Sequence, residues 1–410
     1  MLPTVLLFSL PWLVLVTYVL VMVREPPDLP PAGPERDGGT RPLVSVIVPA
    51  RNEAHNIGTC VRSLVAADYP AYEVIVVDDR SEDGTGDLAR EAALGAAARV
   101  VVLNGEPVPS DWFGKQWACA QGARAARGEL LLFTDADTVH GPTLLRDVVG
   151  EMERSGADCV TVIGRQIMES FWVRLVQPQV FTLLGIRYPR MGAVPTPQKR
   201  WRSAIANGQY LMFRRAAYEA LGGHESVRYE AAEDLRLAQR LVRTGGMLVM
   251  RGTRAGLGTR MYRDLGEVVA GWSKNMIPAG LQTLHPALRG VAPVGMLLSG
   301  VALWLAPPAA LLAALAGAGG PLLLAWSAAV TALLMGFWTI LGLRFGAPAW
   351  VGPLYPLGAV VGHWILLRSW LGRRNVQWKG RSYAWDVYSD VQADDEDDAL
   401  RPPPPAGRAP

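Results

Sequence analysis

Histidine and cysteine are scarce in this chain, five and three among 410 residues, and their scarcity narrows the chemistry. Cys60, Cys119 and Cys159 are odd in number, far apart and without metal-ligand spacing, so neither a disulfide framework nor a zinc site is expected. They read as small buried hydrophobes, in keeping with a reducing compartment. His55, His140, His285 and His363 show no ligand spacing either. The net charge is only +3, which gives no case for a nucleic-acid partner. No GxGxxG follows the first expected strand, which disfavours a dinucleotide oxidoreductase. Charge is also missing from long stretches of both flanks. Leu2 to Val23 carry none, and about 20 apolar residues cross a bilayer as a helix. No basic segment precedes this run and no small-x-small cleavage site follows it, so an uncleaved anchor is expected rather than a signal peptide.

Half of the residues are hydrophobic, unevenly distributed. The expected division is an anchor at 1–24, a proline-rich extended linker at 25–42, a charged globular domain at 43–290, membrane helices at 291–367, and a basic juxtamembrane segment with a disordered acidic and proline-rich tail at 368–410. In the globular part, short apolar runs near 43–49, 73–78, 99–103, 129–134 and 158–163 alternate with helical patterns near 53–67, 83–94, 115–126 and 143–155. This alternation predicts an α/β fold, a Rossmann-like domain with a parallel-dominated sheet covered on both faces. Right-handed crossovers place the strand C-termini along one edge.

Three carboxylate clusters fall within this domain. Asp78 and Asp79 end the second strand, Asp135 and Asp137 end the fourth, and Glu233 and Asp234 open a helix. In an extended segment, residues two apart point to the same side. Asp135 and Asp137 would thus face one point beyond the strand end, where open α/β sheets place ligands. Two hard oxygen ligands there suit Mg²⁺ or Mn²⁺ with phosphate oxygens completing the shell. Acidic turns and helix-dipole acids are the competing readings. Three clusters in one domain, two of them on one sheet edge, favour a site.

The segments Val46–Glu53, Val76–Thr85, Thr134–Asp137 and Glu233-Asp234, in this order and spacing, resemble glycosyltransferase family 2 over roughly residues 43 to 280. The resemblance implies a GT-A fold, a nucleotide-sugar donor such as a UDP-sugar, a divalent metal and an inverting mechanism. Trp112–Ala118, Ala206–Leu211, Leu221–His224, Ala232–Leu235, Met261–Arg263 and Gly271–Asn275 are similar to a membrane-bound subgroup acting on carotenoid or hopanoid-type lipids. Gly271–Asn275 stands where processive polysaccharide synthases carry Gln-x-x-Arg-Trp, which argues against a polymer product.

Carried over position by position, the resemblance sets Pro49, Asn52 and Glu53 beside the base and ribose, and Asp79 on the base itself. Asp137 and Asp135 would hold the metal, and Lys115 would add a cation near the diphosphate. Asp234 would be the catalytic base, with Glu233 as the other candidate. Gln209, His224, Trp272 and Lys274 would face or close the acceptor side. Interfacial anchoring is the alternative for Trp272 and Lys274. The interrupted apolar stretch Ser170–Tyr188 reads either as an interfacial amphipathic helix or as a core helix.

Stretches 291–316, 321–343 and 349–367 are long enough to span, though Pro307, Pro308, Pro353 and Pro356 interrupt them. The basic residues Arg368, Arg373, Arg374, Lys379 and Arg381 place the tail on the cytoplasmic side with Arg24 and the catalytic domain. Three crossings would put it on the other side. A re-entrant stretch, a different division of the helices or a failed charge rule would each remove the conflict. The expected function is transfer of a hexose from a nucleotide-sugar donor to a membrane lipid, first a carotenoid, at the cytoplasmic face of the inner membrane. Polyisoprenyl-phosphate or hopanoid-type acceptors are the enzymatic alternatives. A catalytically inactive membrane scaffold is the alternative of another class.

Overall fold

The computed structural model describes residues 2–23, 25–33, 41–188, 198–230, 232–282, 284, 286–372, 375–379 and 381–384. The acidic run Asp394–Asp398, the prolines at 402–405, Pro34, Arg24, Arg373, Arg374 and His285 lie outside them.

Helix α1 (Leu2–Met22) precedes the α/β domain. The domain begins with β1 (Val44–Ala50), α2 (Ile57–Val65), β2 (Tyr72–Asp78), α3 (Thr85–Ala92), β3 (Arg99–Asn104), α4 (Gly114–Ala125) and β4 (Leu130–Phe133). It continues through β5 (Thr138–His140), α5 (Leu144–Ser155), β6 (Cys159–Ile163), β7 (Arg165–Gln166) and α6 (Phe171–Arg187). Then follow β8 (Leu211–Arg214), α7 (Arg215–Ala220), α8 (Glu233–Arg243), β9 (Leu248–Gly252), β10 (Leu257–Thr259) and α9 (Leu265–Gln282). The main sheet has the order β3-β2-β1-β4-β8-β6-β9. All its pairings are parallel except those of β8 with β4 and β6. The expected mixed α/β architecture is observed. The antiparallel β8 and the small sheet β5-β10-β7 were not foreseen, because runs of two to four residues give too little periodicity to read.

The alternation of side chains explains the two covered faces. Val44, Val46, Val48, Leu130 and Leu132 pack with Ile57, Val61 and Leu64 of α2 and Val148 of α5. Ile47, Leu131 and Phe133 pack on the other face with Cys119 of α4 and Leu237 and Leu241 of α8. All three cysteines are free and buried in these layers. Register aligns Ala50 with Asp78, and Ile47 with Phe133, so β1, β2 and β4 end along one edge. Gly122 lets α4 lie close on β1, since a Cβ there would stand 2.4 Å from Ile47 Cγ2.

After the domain come α10 (Pro286–Arg289), α11 (Ala292–Gly300), α12 (Ala306–Leu315), α13 (Pro321–Arg344) and α14 (Tyr355–Leu371), then the hairpin β11 (Asn375–Trp378) and β12 (Arg381–Ala384). Among the described residues, Leu2–Met22, Ala292–Leu315, Pro321–Arg344 and Ala349–Leu371 are long and apolar enough to cross a membrane. A π-helical turn at Val301–Leu305 stands just before Pro307 and Pro308 in the second of these. Segment 349–371 differs from the others in where its ends lie. Phe345, just before it, stacks on Phe181 of α6, and near its end Ser369 Oγ accepts from the Ile277 N–H of α9 at 3.1 Å. Its first turn, Ala349–Leu354, folds back along α13, where Gly352 lies against Thr339. Both ends therefore meet the helices α6 and α9, which pack on each other through Val173, Val176, Val268 and Trp272. α6 is thus wedged between the domain and the C-terminal helices rather than lying on a free interface.

Replacing Gly122 by Val should force α4 off β1 and cost about 1–3 kcal/mol. A lowered thermal unfolding midpoint of the full chain checks this, and an unchanged midpoint would refute the tight contact.

Candidate active site

The edge formed by β1, β2 and β4 opens into a cavity of about 1770 Å³. Pro49, Asn52, Glu53, Asp79, Lys115, Asp135, Asp137, Gln209, Glu233, Asp234, Trp272 and Lys274 all line it. Twelve of the thirteen residues expected from sequence thus meet in one place, the exception being His224.

Asp135 and Asp137 do not lie on the strand itself. β4 ends at Phe133, and the two carboxylates occupy the turn leading to β5. The turn is held by its backbone: Thr138 Oγ1 donates to Asp135 O at 2.7 Å, and the Arg260 N–H donates to Asp137 O at 2.9 Å. Asp137 Oδ1 is sealed from solvent and has no hydrogen-bond partner among the described residues. A buried unsatisfied polar atom costs about 1–3 kcal/mol, more when charged. Burial, with Asp135 and Glu53 nearby, raises the Asp137 pKa well above the ordinary carboxylate range. Such a carboxylate calls for a cation. The donor set fits a hard divalent ion that takes its remaining ligands from phosphate and water. Among the described residues no third His, Cys or carboxylate converges to complete an all-protein cage.

Lys115 opens α4, where a cation opposes the helix dipole. Its Nζ lies 2.8 Å from Asp135 Oδ1 and 2.7 Å from Glu233 Oε1. Burial alone would lower its pKa, but Asp135 and Glu233 outweigh it and the pKa is raised. The same contact works on Glu233, where burial raises the pKa but Lys115 and Lys274 bring it below the ordinary value. Glu233 is therefore held ionised. Asp234 is tuned the other way. Burial first, and Glu233 second, push its pKa up to about 6. Its Oδ2 accepts from the Gly208 N–H and its Oδ1 from the Leu235 N–H, both at 2.8 Å. Gly208 permits this approach, because a Cβ there would meet Asp234 Oδ2 at 3.0 Å.

At the nucleotide end, Asp78 Oδ1 accepts from the Ser81 N–H and serves the turn, while Asp79 faces the cavity. Asn52 holds a left-handed φ of 51° and Oδ1 accepts from the Glu82 N–H at 3.0 Å. Gln209 Oε1 accepts from Thr259 Oγ1 at 2.9 Å. Trp272 is buried at 6% exposure, which rules out the anchoring role at an exposed interface. Its Nε1 has no partner among the described residues, and its ring meets Phe181 and Tyr262 edge-on. Burial lowers the Lys274 pKa to about 8, opposed by Glu233.

His224 departs from expectation. Gly222 and Gly223, both at positive φ, turn it inward, where Nδ1 meets Tyr218 Oη at 2.8 Å and the ring lies 4.6 Å from that of Phe133. It supports the wall behind Glu233 and Asp234 and lies outside the main cavity. Sequence reasoning also missed three residues, Arg51, Lys379 and Arg381. Arg51 Nη1 donates to Asp79 O at 2.6 Å, and both Arg381 Nη atoms reach the Asp79 carboxylate. The one available signal was a Lys-Gly-Arg turn between β-forming residues.

Residues 45–222 match the family described as Glycosyl transferase family 2. The chain carries a glycosyltransferase family 2 domain. The expected GT-A fold agrees with that assignment. Among curated proteins, a 4,4'-diaponeurosporenoate glycosyltransferase of Staphylococcus haemolyticus is 37% identical over 103 residues, 25% of this chain and 26% of that protein. The glycosyltransferase AglE of Haloferax volcanii is 33% identical over 30% of this chain and 39% of its own length. A Staphylococcus aureus 4,4'-diaponeurosporenoate glycosyltransferase is 25% identical over 57% of this chain and 60% of its own. The matched stretches thus span between 26% and 60% of these relatives. Among solved structures, a mannosyltransferase from Pyrobaculum calidifontis, determined with GDP-mannose and Mn²⁺, is 22% identical with a TM-score of 0.48, covering 84% of this chain and 94% of that one.

Asp137→Asn removes a buried carboxyl group whose Oδ1 has no hydrogen-bond partner among the described residues. The variant should match or exceed the parent's thermal midpoint without added metal and lose any rise produced by Mn²⁺. A Mn²⁺ shift retained by the variant would overturn Asp137 as a ligand.

Proposed function

We propose that this chain transfers a sugar, a hexose such as glucose, from a nucleotide-sugar donor to a lipid acceptor, and that it inverts the anomeric centre. The continuity of the cavity carries this reading. It runs from Asn52 and Asp79 past the carboxylates to apolar side chains of three of the span-length helices, including Val19 of α1, Met296 of α11 and Leu341 of α13, and to Leu184 of α6. Its volume of about 1770 Å³ exceeds the roughly 300–1,000 Å³ of a small-molecule pocket. That leaves space for a donor at one end and a long apolar acceptor at the other. The two Staphylococcus relatives, 4,4'-diaponeurosporenoate glycosyltransferases by name, support a carotenoid as the first acceptor to test.

An acceptor hydroxyl is a weak nucleophile at neutral pH. With its pKa near 6, Asp234 is ionised at pH 7 yet basic enough to take the hydroxyl proton as the bond to the anomeric carbon forms. Gly208 N–H and Leu235 N–H hold the carboxylate in place. Glu233, paired with Lys115, stays a charge partner rather than the base. Mg²⁺ or Mn²⁺, held by Asp137 and Asp135, would neutralise the diphosphate as its charge grows. Should the acceptor be a carboxylate or phosphate, it arrives ionised and Asp234 orients it.

The membrane arrangement follows from the same reading. α1, α11–α12 and α13 cross, while 349–371 enters and returns to the side of the catalytic domain. The hairpin β11–β12 then reaches Asp79 without a further crossing. On this arrangement the basic tail stays on the side of the catalytic domain, and a re-entrant stretch takes the place of the third C-terminal crossing. Nucleotide sugars are cytoplasmic, so that side is the cytoplasm and the membrane is the inner one.

Because the base must be ionised, kcat/KM with a hydroxyl acceptor should rise with pH through about 6 and level off above it. Asp234→Asn should abolish that limb and reduce kcat by about 10²–10⁴; an unchanged rate would refute the assignment. Membrane lipid from a strain lacking the protein should lose a glycosylated pigment, whereas loss of a polyprenyl-phosphate sugar would redirect the acceptor. Cysteines placed singly in the 41–43 and 385–390 segments should label from the same face of sealed vesicles. Labelling from opposite faces would refute the re-entrant stretch.

A further inference from the structure

The hairpin at the end of the described chain touches the cavity at its nucleotide end. Arg381 Nη1 and Nη2 donate to Oδ2 and Oδ1 of Asp79, a fork-to-fork pair with a carboxylate buried to 2% exposure. Lys379 Nζ lies 2.9 Å from Glu53 Oε1 and donates to Asn52 O at 3.2 Å. Arg51 returns the contact, its Nε donating to Lys379 O at 3.0 Å. Among the described residues three non-glycine residues hold positive φ: Asn52 at 51°, Arg80 at 56° and Lys379 at 46°. All three lie around Asp79. Strain of this kind persists where the surroundings over-determine the backbone, and it concentrates at ligand sites.

The pairing buries Asp79 but leaves the space beside it open. Pro49, Asn52, Glu53 and Lys379 line the cavity with it and stay partly exposed. A plug would have buried these four as well and closed that end. We propose that the hairpin is a working part of the donor site, with Arg381 a positioning residue that fixes Asp79 for the nucleoside end of a nucleoside diphosphate and Lys379 a cation in the same wall. The inference rests on the family 2 reading of the donor. It also couples donor binding to the membrane half, because only Gly372, Arg373 and Arg374 separate α14 from the hairpin.

The test uses the full-length protein in detergent, with UDP and GDP as probes in the presence of Mn²⁺, binding being measured by calorimetry. Arg381→Ala should weaken binding of the preferred nucleotide by about tenfold or more. Arg381→Lys should recover part of the loss, since it keeps the charge and loses the fork. Both variants should retain the Mn²⁺-induced rise in thermal midpoint, because Asp135 and Asp137 are untouched. If Arg381→Ala fails to fold, Lys379→Ala, half-exposed on the turn, carries the same test with a smaller loss. Unchanged binding in these variants overturns the proposal, and tighter binding overturns it in favour of a plug. A wild-type protein that binds neither nucleotide would instead sink the donor reading itself, and the inference with it.

Discussion

Lys115 is the charge on which the rest of the site depends. It joins three pieces of chain that are far apart in sequence, the start of α4, the turn after β4 and the start of α8, through Asp135 and Glu233. Several carboxylates gathered in a low-dielectric cleft do not all ionise at neutral pH without compensation. One ammonium supplies part of it, and its position decides how the rest is shared. Glu233, in direct contact with it, stays ionised, whereas at Asp137 and Asp234 burial and the neighbouring carboxylates outweigh it and the pKa values are raised. Two adjacent acids on one helix turn thereby acquire different chemistry. Pushing the pKa values of neighbouring groups apart is how a site assigns an acid-base role.

The α/β domain and the apolar helices form one body around a shared cavity. α6 and α9 belong to the domain by connection, yet their buried side chains, among them Trp272, pack with Val351 and Ile365 of segment 349–371. The cavity follows this seam. Its polar end lies at the C-terminal edge of the strands, where helix and strand ends expose unsatisfied groups to a ligand. Its apolar end lies among side chains such as Val19, Leu184, Met296 and Leu341. The two ends suit two substrates of opposite solubility, and the carboxylates stand where those substrates would meet.

The domain was legible because its strands and helices are local. Val44–Ala50 and Tyr72–Asp78 are nearly continuous apolar runs, and α2 and α5 show one apolar face each. The carboxylate clusters were legible because a strand end carries its next few residues to the sheet edge. Asp135 and Asp137 both line the cavity even though the strand had already ended at Phe133. β8 was not legible, being four residues long with its partners set by non-local pairing. His224 was misread because two glycines with positive φ turn it into the core, and their torsions depend on what surrounds them.

From its residue pattern alone the chain determined an α/β domain, the carboxylate edge, apolar flanks and resemblance to a glycosyltransferase family, since each is encoded within a few consecutive residues. Tertiary structure alone decided which acid Lys115 keeps ionised, and that both ends of 349–371 meet α6 and α9. It alone brought Arg381 to Asp79 across 302 residues. Charge sharing and chain return depend on distances between distant segments, which periodicity and composition do not carry.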